Sequence, residues 1–456
     1  AWAADRTRAA AHAAARAAAD RAGRAPGEPV PPVAGRRLHP GRAPRCPPAR
    51  RPVTAGAAGA PEVVVVGGGA AGLSLAHRLV ETGAARVTVV EPPDGPVRPA
   101  ERTWCYWDEG HDGLGAAVTA AWPLLRVHGR DGTALTVDPA PATYRMVRSS
   151  AFERLVHARV EQAPGGRVLR ATADTVRDVP GGAEVRCTAP GGRALTLRAR
   201  YVFDSRPLPA LPAARTQLLQ HFRGWFVRTD RERFDPGVAD LMDFRVPQPR
   251  HGLAFGYVLP LAADRALVEY TEFSRAPLTT EAYEAALGHY ARDVLRLGGF
   301  EVESAEQGVI PMTDGRFARR TGRSVFRIGT AGGATRPATG YTFAAVQRHS
   351  RAVAAALRDG RDAVPPPHGR RALAMDAVLL RALDTGRVDG PDFFTGLFRR
   401  TPAHRLLRFL DGATSLREEW GIGLRTPVGP MLRTALEVPF LPRRTHPLPG
   451  TGVSHR

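Results

Sequence analysis

Three glycines and one glutamate stand where dinucleotide chemistry needs them. Gly67, Gly69 and Gly72 follow directly on the β-branched run Val63 to Val66 and open a helical stretch. Glu91 lies 24 residues after Gly67, at the end of the next apolar run. At such a turn the first glycine permits the tight bend, the second lets backbone approach a pyrophosphate, and the third lets helix and strand pack closely. The helix N-terminus then offers unpaired N–H groups to the phosphates. Glu91 can accept both hydroxyls of an adenosine ribose. A second cluster, Gly329, Gly332 and Gly333, with Gly340 ahead of another helical stretch, could bring a second positive helix end against a flavin ring and favour negative charge on its reduced form. The spare Gly68 and the early position of the first motif favour FAD. Many flavoproteins place an Asp near the second cluster to bind the ribityl chain. Ile328-Gly329-Thr330 lacks it, which is less typical of flavin hydroxylases.

Other chemistries are excluded by composition. All 64 basic residues are arginine, so there is neither a P-loop lysine nor a Schiff-base lysine. Cys46, Cys105 and Cys187 show no paired spacing, which argues against a disulfide framework or a structural zinc site. No metal is expected. The chain has 456 residues and a formal charge of +20. Residues 1–60 hold 11 Arg against Asp5, Asp20 and Glu28, and residues 399–456 hold 10 Arg against 4 acids. The excess therefore gathers at the ends, away from the glycine motifs. That distribution weighs against nucleic-acid binding and suits a basic face toward anionic lipid. No run of 18 apolar residues exists to cross a bilayer.

The elements that must position these residues can be read from periodicity. Residues 1–60 are rich in Ala, Arg, Pro and Gly and read as disordered, with no signal-peptide pattern. The pattern predicts strands at Val63 to Val66, Arg86 to Val90, Ala199 to Phe203, 216–228, 253–259, 266–273 and Val325 to Ile328. Ala262 to Arg265 is a hairpin turn. Helices are expected over Leu73 to Glu81 and Tyr341 to Arg358, and the chain is mainly helical from Ala372 to Arg433. Within that region, residues 393–410 alternate large apolar groups with Arg clusters. Such a segment suits either an interfacial anchor on anionic lipid or an amphipathic helix packed on the core.

Several further motifs resemble the lycopene cyclases, FAD-dependent enzymes that form carotenoid rings. They are Arg102-Thr103-Trp104-Cys105-Tyr106-Trp107, Phe203-Asp204-Ser205-Arg206-Pro207, Met242-Asp243-Phe244, Phe255-Gly256-Tyr257-Val258-Leu259-Pro260, Leu267-Val268-Glu269-Tyr270-Thr271, Ile310-Pro311-Met312, and Ile328 to Gly333 through Pro337, Thr339, Gly340, Tyr341, Thr342 and Phe343. The resemblance implies an α/β fold: a Rossmann-like FAD-binding domain interleaved with an antiparallel-sheet substrate domain, and a C-terminal helical region. The division expected is a disordered segment 1–60, FAD-binding parts 61–210 and 320–364, a substrate sheet 211–319, a helical substrate- or membrane-facing region 365–440 and a disordered tail 441–456.

The resemblance also implies a reaction, an intramolecular lyase or isomerase step without net redox change. An acid protonates one end of lycopene, a C40 hydrocarbon, the cation closes a ring, and proton loss leaves a β-ring. Reduced FAD would be the active cofactor and NAD(P)H its reductant. The first acid of the family's paired acidic motif corresponds to Glu269, whose burial against carotenoid would hold it protonated. The second position is Tyr270; Glu272, three residues on, faces the other side of a strand. Aromatic faces could stabilise the cation. The candidates are Trp104, Tyr106, Trp107, Phe255, Tyr257 and Tyr341, with Phe343 beside them. Asp204 with Arg206 and Asp243 with Arg245 are expected to brace loop junctions. The lipid substrate implies peripheral attachment to the inner face of the plasma membrane from the cytoplasm. The competing reading is an FAD-dependent monooxygenase or prenyl reductase acting on an isoprenoid lipid.

Overall fold

The computed structural model describes residues 63–110, 113–361 and 364–446; the expected disorder of residues 1–60 lies outside them. The Val63–Val66 strand sits at the centre of a five-stranded sheet whose order is Val325–Arg327, Tyr201–Asp204, Val63–Val66, Val87–Glu91, Arg167–Arg170. Every adjacent pair is parallel. Both faces are covered, so the valine run needs no polar alternation. Val63 and Val65 pack with the helices Ala70–Glu81, Ser149–Gln162 and Phe343–Arg358. Val64 and Val66 pack on a small antiparallel sheet built from Thr172–Val179, Gly182–Thr188 and Ala194–Ala199. The single strand expected at Ala199 to Phe203 is therefore two. Ala199 pairs with Ala183 in the small sheet, and Tyr201 pairs with Val63 in the parallel one.

The large sheet has seven strands, in the order Phe300–Thr313, Gln217–Thr229, Arg265–Ser274, Leu253–Ala262, Val238–Asp243, Leu124–His128, Ala134–Val137. Its pairs are antiparallel except Val238–Asp243 with Leu124–His128, which is parallel. That exception arises because Leu124–His128 and Ala134–Val137 come from within the 61–210 stretch and join the sheet at its far edge. One face buries Leu267, Phe273, Phe255 and Tyr257 against helices Arg370–Asp384, Gly390–Arg400 and Ala403–Leu410. The other buries Val268 and Tyr270 against helix Thr280–His289.

A third sheet, Thr103–Asp108, Thr143–Arg148 and Val118–Trp122, links the two bodies. Its first strand alternates: Trp104 and Tyr106 pack with the helices of the parallel sheet, while Cys105 and Trp107 pack against the core of the large one.

Helices do fill the C-terminal region, and they correct one alternative. Phe393, Phe394, Leu397, Phe398, Leu406 and Leu407 are all buried, so residues 393–410 face the core rather than lipid. The exposed apolar side chains lie further on. Leu416, Trp420, Leu424, Val428, Leu432, Leu436 and Phe440 recur every fourth residue, and each is at least 49% exposed. No helix among the described residues is long and apolar enough to cross a membrane. Of the expected disordered tail, Leu441 to His446 is described. Arg444 bridges to Ala214, and Arg443 pairs with Asp314. Residues 447–456 lie outside the described residues.

Candidate active site

The carboxyl ends of the parallel strands bring the nucleotide-motif residues together, where ligands bind in open α/β sheets. Gly67 has φ +106, a region that disfavours side chains, and a Cβ there would strike the Ser205 hydroxyl. Ser205 Oγ in turn donates to the Val66 carbonyl at 2.8 Å. A Cβ on Gly72 would collide with the Gly67 carbonyl, the close helix–strand approach its position predicts. A Cβ on Gly69 would meet nothing within 4 Å, so the space a pyrophosphate needs is open there. Asp204 and Arg206 pair at 2.8 Å beside this turn.

Glu91 is 1% exposed and its carboxylate lies over Gly68. Arg170 approaches it at 2.7 Å and His157 at 3.2 Å, yet neither oxygen has a well-directed hydrogen bond. Burial alone would push its pKa up; His157, Arg170 and Arg98 outweigh that and hold it below the usual carboxylate value. A buried anion with unmet acceptor capacity suits a ribose diol. Gly329 to Gly332 forms a tight turn just after the edge strand Val325–Arg327, and a Cβ on Gly329 would meet the Ala71 side chain at 2.6 Å. Gly333 and Gly340, both at positive φ, carry the chain to helix Phe343–Arg358. These residues fit FAD as a group.

The second constellation lies on the large sheet. Glu269 is directly opposite Tyr257 on one side and Gly224 on the other. Gly224 in turn is opposite Glu306. Cross-strand partners project from the same face, so Tyr257, Glu269, Gly224 and Glu306 form one row. Burial pushes the Glu269 pKa up to about 8, with the Glu306 charge adding to it and the Thr271 hydroxyl opposing. Thr271 Oγ1 donates to Glu269 Oε1 at 2.8 Å. Glu269 nonetheless keeps some accessible surface.

Glu306 is the candidate site residue that sequence reasoning missed. Its neighbour motif Ile310-Pro311-Met312 was visible, but its place in the row depends on strand register. Glu306 Oε2 accepts from Thr103 Oγ1 at 2.7 Å, and Arg148 Nη1 stands at 3.5 Å. Glu272 is on the opposite face, accepting from the Tyr270 hydroxyl at 3.1 Å. Asp243, fully buried, is held by Arg245 and by the Tyr290 hydroxyl at 3.0 Å.

The structure divides the aromatic candidates. Tyr257, Phe255, Tyr341 and Trp107 belong to the core on the Glu269 face. Phe255 and Tyr257 meet edge-on at 5.2 Å, and Trp107 and Tyr341 at 4.8 Å. The Tyr341 hydroxyl is buried without a hydrogen-bond partner. Cys105, unnoticed as a site residue, sits among them with its thiol pKa raised by burial and by Glu269 and Glu306. Trp104 and Tyr106 point the other way and pack on Phe343 at 5.6 Å and 4.8 Å. Strand alternation makes this unavoidable once Cys105 and Trp107 face the large sheet. Beyond Trp107 opens a cavity of about 490 Å³, lined by Tyr106, Trp107, Arg348, Leu407, Arg408 and Asp411 among others. Trp107 Nε1 donates to Asp411 at 3.0 Å on that side.

Solved structures of similar fold are flavoenzyme-like. A flavoprotein/dehydrogenase from Cytophaga hutchinsonii has a TM-score of 0.55 at 12% identity, covering 82% of this chain and 98% of its own. A geranylgeranyl bacteriochlorophyll reductase-like protein from Thermoplasma acidophilum gives 0.54 at 14%, covering 82% and 98%. A p-nitrophenol 4-monooxygenase from Pseudomonas putida gives 0.51 at 16%, covering 84% and 98%. At such identities the likeness concerns the fold. A search of curated proteins finds no match. Residues 62–436 match the family described as lycopene cyclase protein, which spans both constellations, and the chain belongs to that family.

Proposed function

We propose that the protein is a lycopene β-cyclase that uses reduced FAD to convert the open ends of lycopene into β-rings without net redox change. The carrying observation is Glu269, a carboxyl held protonated at neutral pH on an apolar, aromatic face. Protonating an alkene demands an acid that water does not level, and burial supplies that condition. Glu269 delivers its proton to the terminal double bond. The faces of Tyr257, Phe255, Tyr341 and Trp107 then offer quadrupole stabilisation to the cation without a nucleophile to trap it. The hydroxyls of Tyr257 and Tyr341 and the Cys105 thiol stay neutral, because burial raises all three pKa values.

Gly67, Gly69, Gly72 and Glu91 would hold the adenosine diphosphate half of FAD, and the turns at Gly329, Gly332, Gly333 and Gly340 would approach its ring half. Bound and reduced, the flavin would supply negative charge to the site, with NAD(P)H as the source of its electrons. Access to a C40 hydrocarbon is peripheral, from the inner face of the plasma membrane. The stripe from Leu416 to Phe440 suits that contact. Arg417, Arg425 and Arg433 lie along it without an ion pair among the described residues, whereas Glu418, Glu419 and Glu437 are neutralised by Arg408, Arg371 and Arg381. The patch is thus apolar with net positive charge, complementary to anionic lipid. Expression in a lycopene-making bacterial host tests the proposal: cyclic carotenoids are expected, and lycopene left unchanged beside folded, flavin-loaded protein would reject it.

A further inference from the structure

Ring closure needs two proton transfers, one in and one out, and a single acid serves only the first. We propose that Glu306 is the proton acceptor that completes the reaction Glu269 begins. This inference rests on the cyclase reading above.

The geometry is a pair of carboxyls on one row of the sheet. Glu269 and Glu306 flank Gly224 from neighbouring strands, so their Cα atoms are about 9.5 Å apart, two strand spacings. Between them stands a residue with no side chain of its own. A methyl group on Gly224 would meet Leu267 Cδ1 at 2.7 Å, Glu269 Cβ at 3.3 Å and Glu269 Cγ at 3.5 Å. The missing side chain therefore lets Leu267 and the Glu269 side chain close over the row, on the same face as Glu306.

The partners of the two acids differ in a way that assigns their roles. Burial raises the Glu306 pKa, but a hydroxyl donor in Thr103 and a guanidinium in Arg148 oppose that rise and favour the anion. Among the described residues, Glu269 has the Thr271 hydroxyl alone and no cation paired with it. Two neighbouring carboxyls do not both ionise readily, so the pair holds one proton, on Glu269. Other charged groups facing the pair are Glu101, which pairs with Arg148, and Arg148 itself. Cys105, Tyr144, Tyr257 and Tyr341 face it as neutral groups, their pKa values raised by burial.

The step balances. The Glu269 O–H bond breaks and a C–H bond forms at C2 of the terminal C1=C2 alkene, leaving a cation at C1. The C5=C6 electron pair forms the C1–C6 bond and moves the cation to C5. The Glu306 carboxylate takes the hydrogen from C6, and the released C–H pair becomes the C5=C6 bond of the β-ring. The pair begins with its proton on Glu269 and ends with one on Glu306; exchange of that proton with solvent and return of a solvent proton to Glu269 reset the enzyme. Nothing is oxidised or reduced.

Glu306→Gln tests this in the flavin-loaded protein. The expected result is a loss of at least about 100-fold in cyclisation, with flavin retained. What product remains should be enriched in rings whose double bond lies elsewhere, from proton loss at C4 or at the C5 methyl. The acid limb of the pH–rate profile should disappear, because it reports Glu306 ionisation. The alkaline limb, set by Glu269, should move to lower pH once the neighbouring charge is gone. Glu306→Asp should recover part of the rate and the β-ring. Thr103→Val guards against a misfolded Glu306→Gln: losing the donor raises the Glu306 pKa and moves the acid limb upward. β-Rings formed at near-normal rate with both limbs in place, in either variant that folds, overturn the proposal. Wild-type protein that forms no ring at all would instead remove the cyclase reading beneath it.

Discussion

Glu269 holds a carboxyl where ionisation is costly, and the cost has two measurable consequences. Glu269→Gln keeps the shape and removes the transferable proton, so cyclisation should fall by roughly 10²–10⁴-fold while flavin stays bound. Glu269→Asp should keep some activity, its acid one bond short. The second consequence is in stability. Below the ordinary carboxyl value of 4.5 the group is neutral whether folded or unfolded. Between there and about 8 it ionises only in the unfolded chain, so the wild type loses about 1.4 kcal/mol per pH unit relative to the glutamine variant. Thermal melts from pH 5 to 8 should therefore show Glu269→Gln gaining on the wild type as pH rises. Parallel curves would mean that Glu269 titrates normally. Glu272→Gln is the contrast, since Glu272 faces helix Thr280–His289 across the sheet and its loss should leave the rate near normal.

Elements place these residues, and their legibility in the sequence varied for physical reasons. The parallel strands beginning at Val63 announce themselves because sheets covered on both sides need unbroken apolar runs. The strands of the 253–273 hairpin were clear from β-branched and aromatic content. The strands Thr172–Val179 and Phe300–Thr313 were not foreseen: the first is polar at most positions with none fully buried, and the second is exposed from Glu301 to Ala305. Glu306 was hidden because its row with Glu269 exists only through two cross-strand registers. Trp104 and Tyr106 were grouped with Trp107 by motif, and the strand's alternation separates them. The apolar groups of residues 393–410 were visible, but only packing shows that they face inward. Two predictions belong here. Gly69→Val should fill the open space at the phosphate turn and yield colourless, folded protein; a fully yellow variant would contradict the assignment. Trp420→Ser with Leu432→Ser should weaken binding to anionic liposomes severalfold, and wild-type binding should fall with added salt. Salt-indifferent binding unaffected by these substitutions would place the lipid contact elsewhere.

At the scale of the whole molecule, one strand couples two chemistries. Thr103–Asp108 turns Trp104 and Tyr106 toward the parallel sheet's helices and Cys105 and Trp107 toward the large sheet. The helices around the nucleotide motif and the core that holds the acidic row thus pack on the two faces of one strand. The direct test is to supply lycopene to protein carrying reduced FAD, without oxygen, in deuterated water, and to follow both the carotenoids and NADPH. The account predicts cyclic product with one solvent deuteron in each new ring, no stoichiometric NADPH consumption, and loss of both ring and label in Glu269→Gln. One hydride equivalent consumed for each double bond saturated, or rings formed by Glu269→Gln at the wild-type rate, would contradict it.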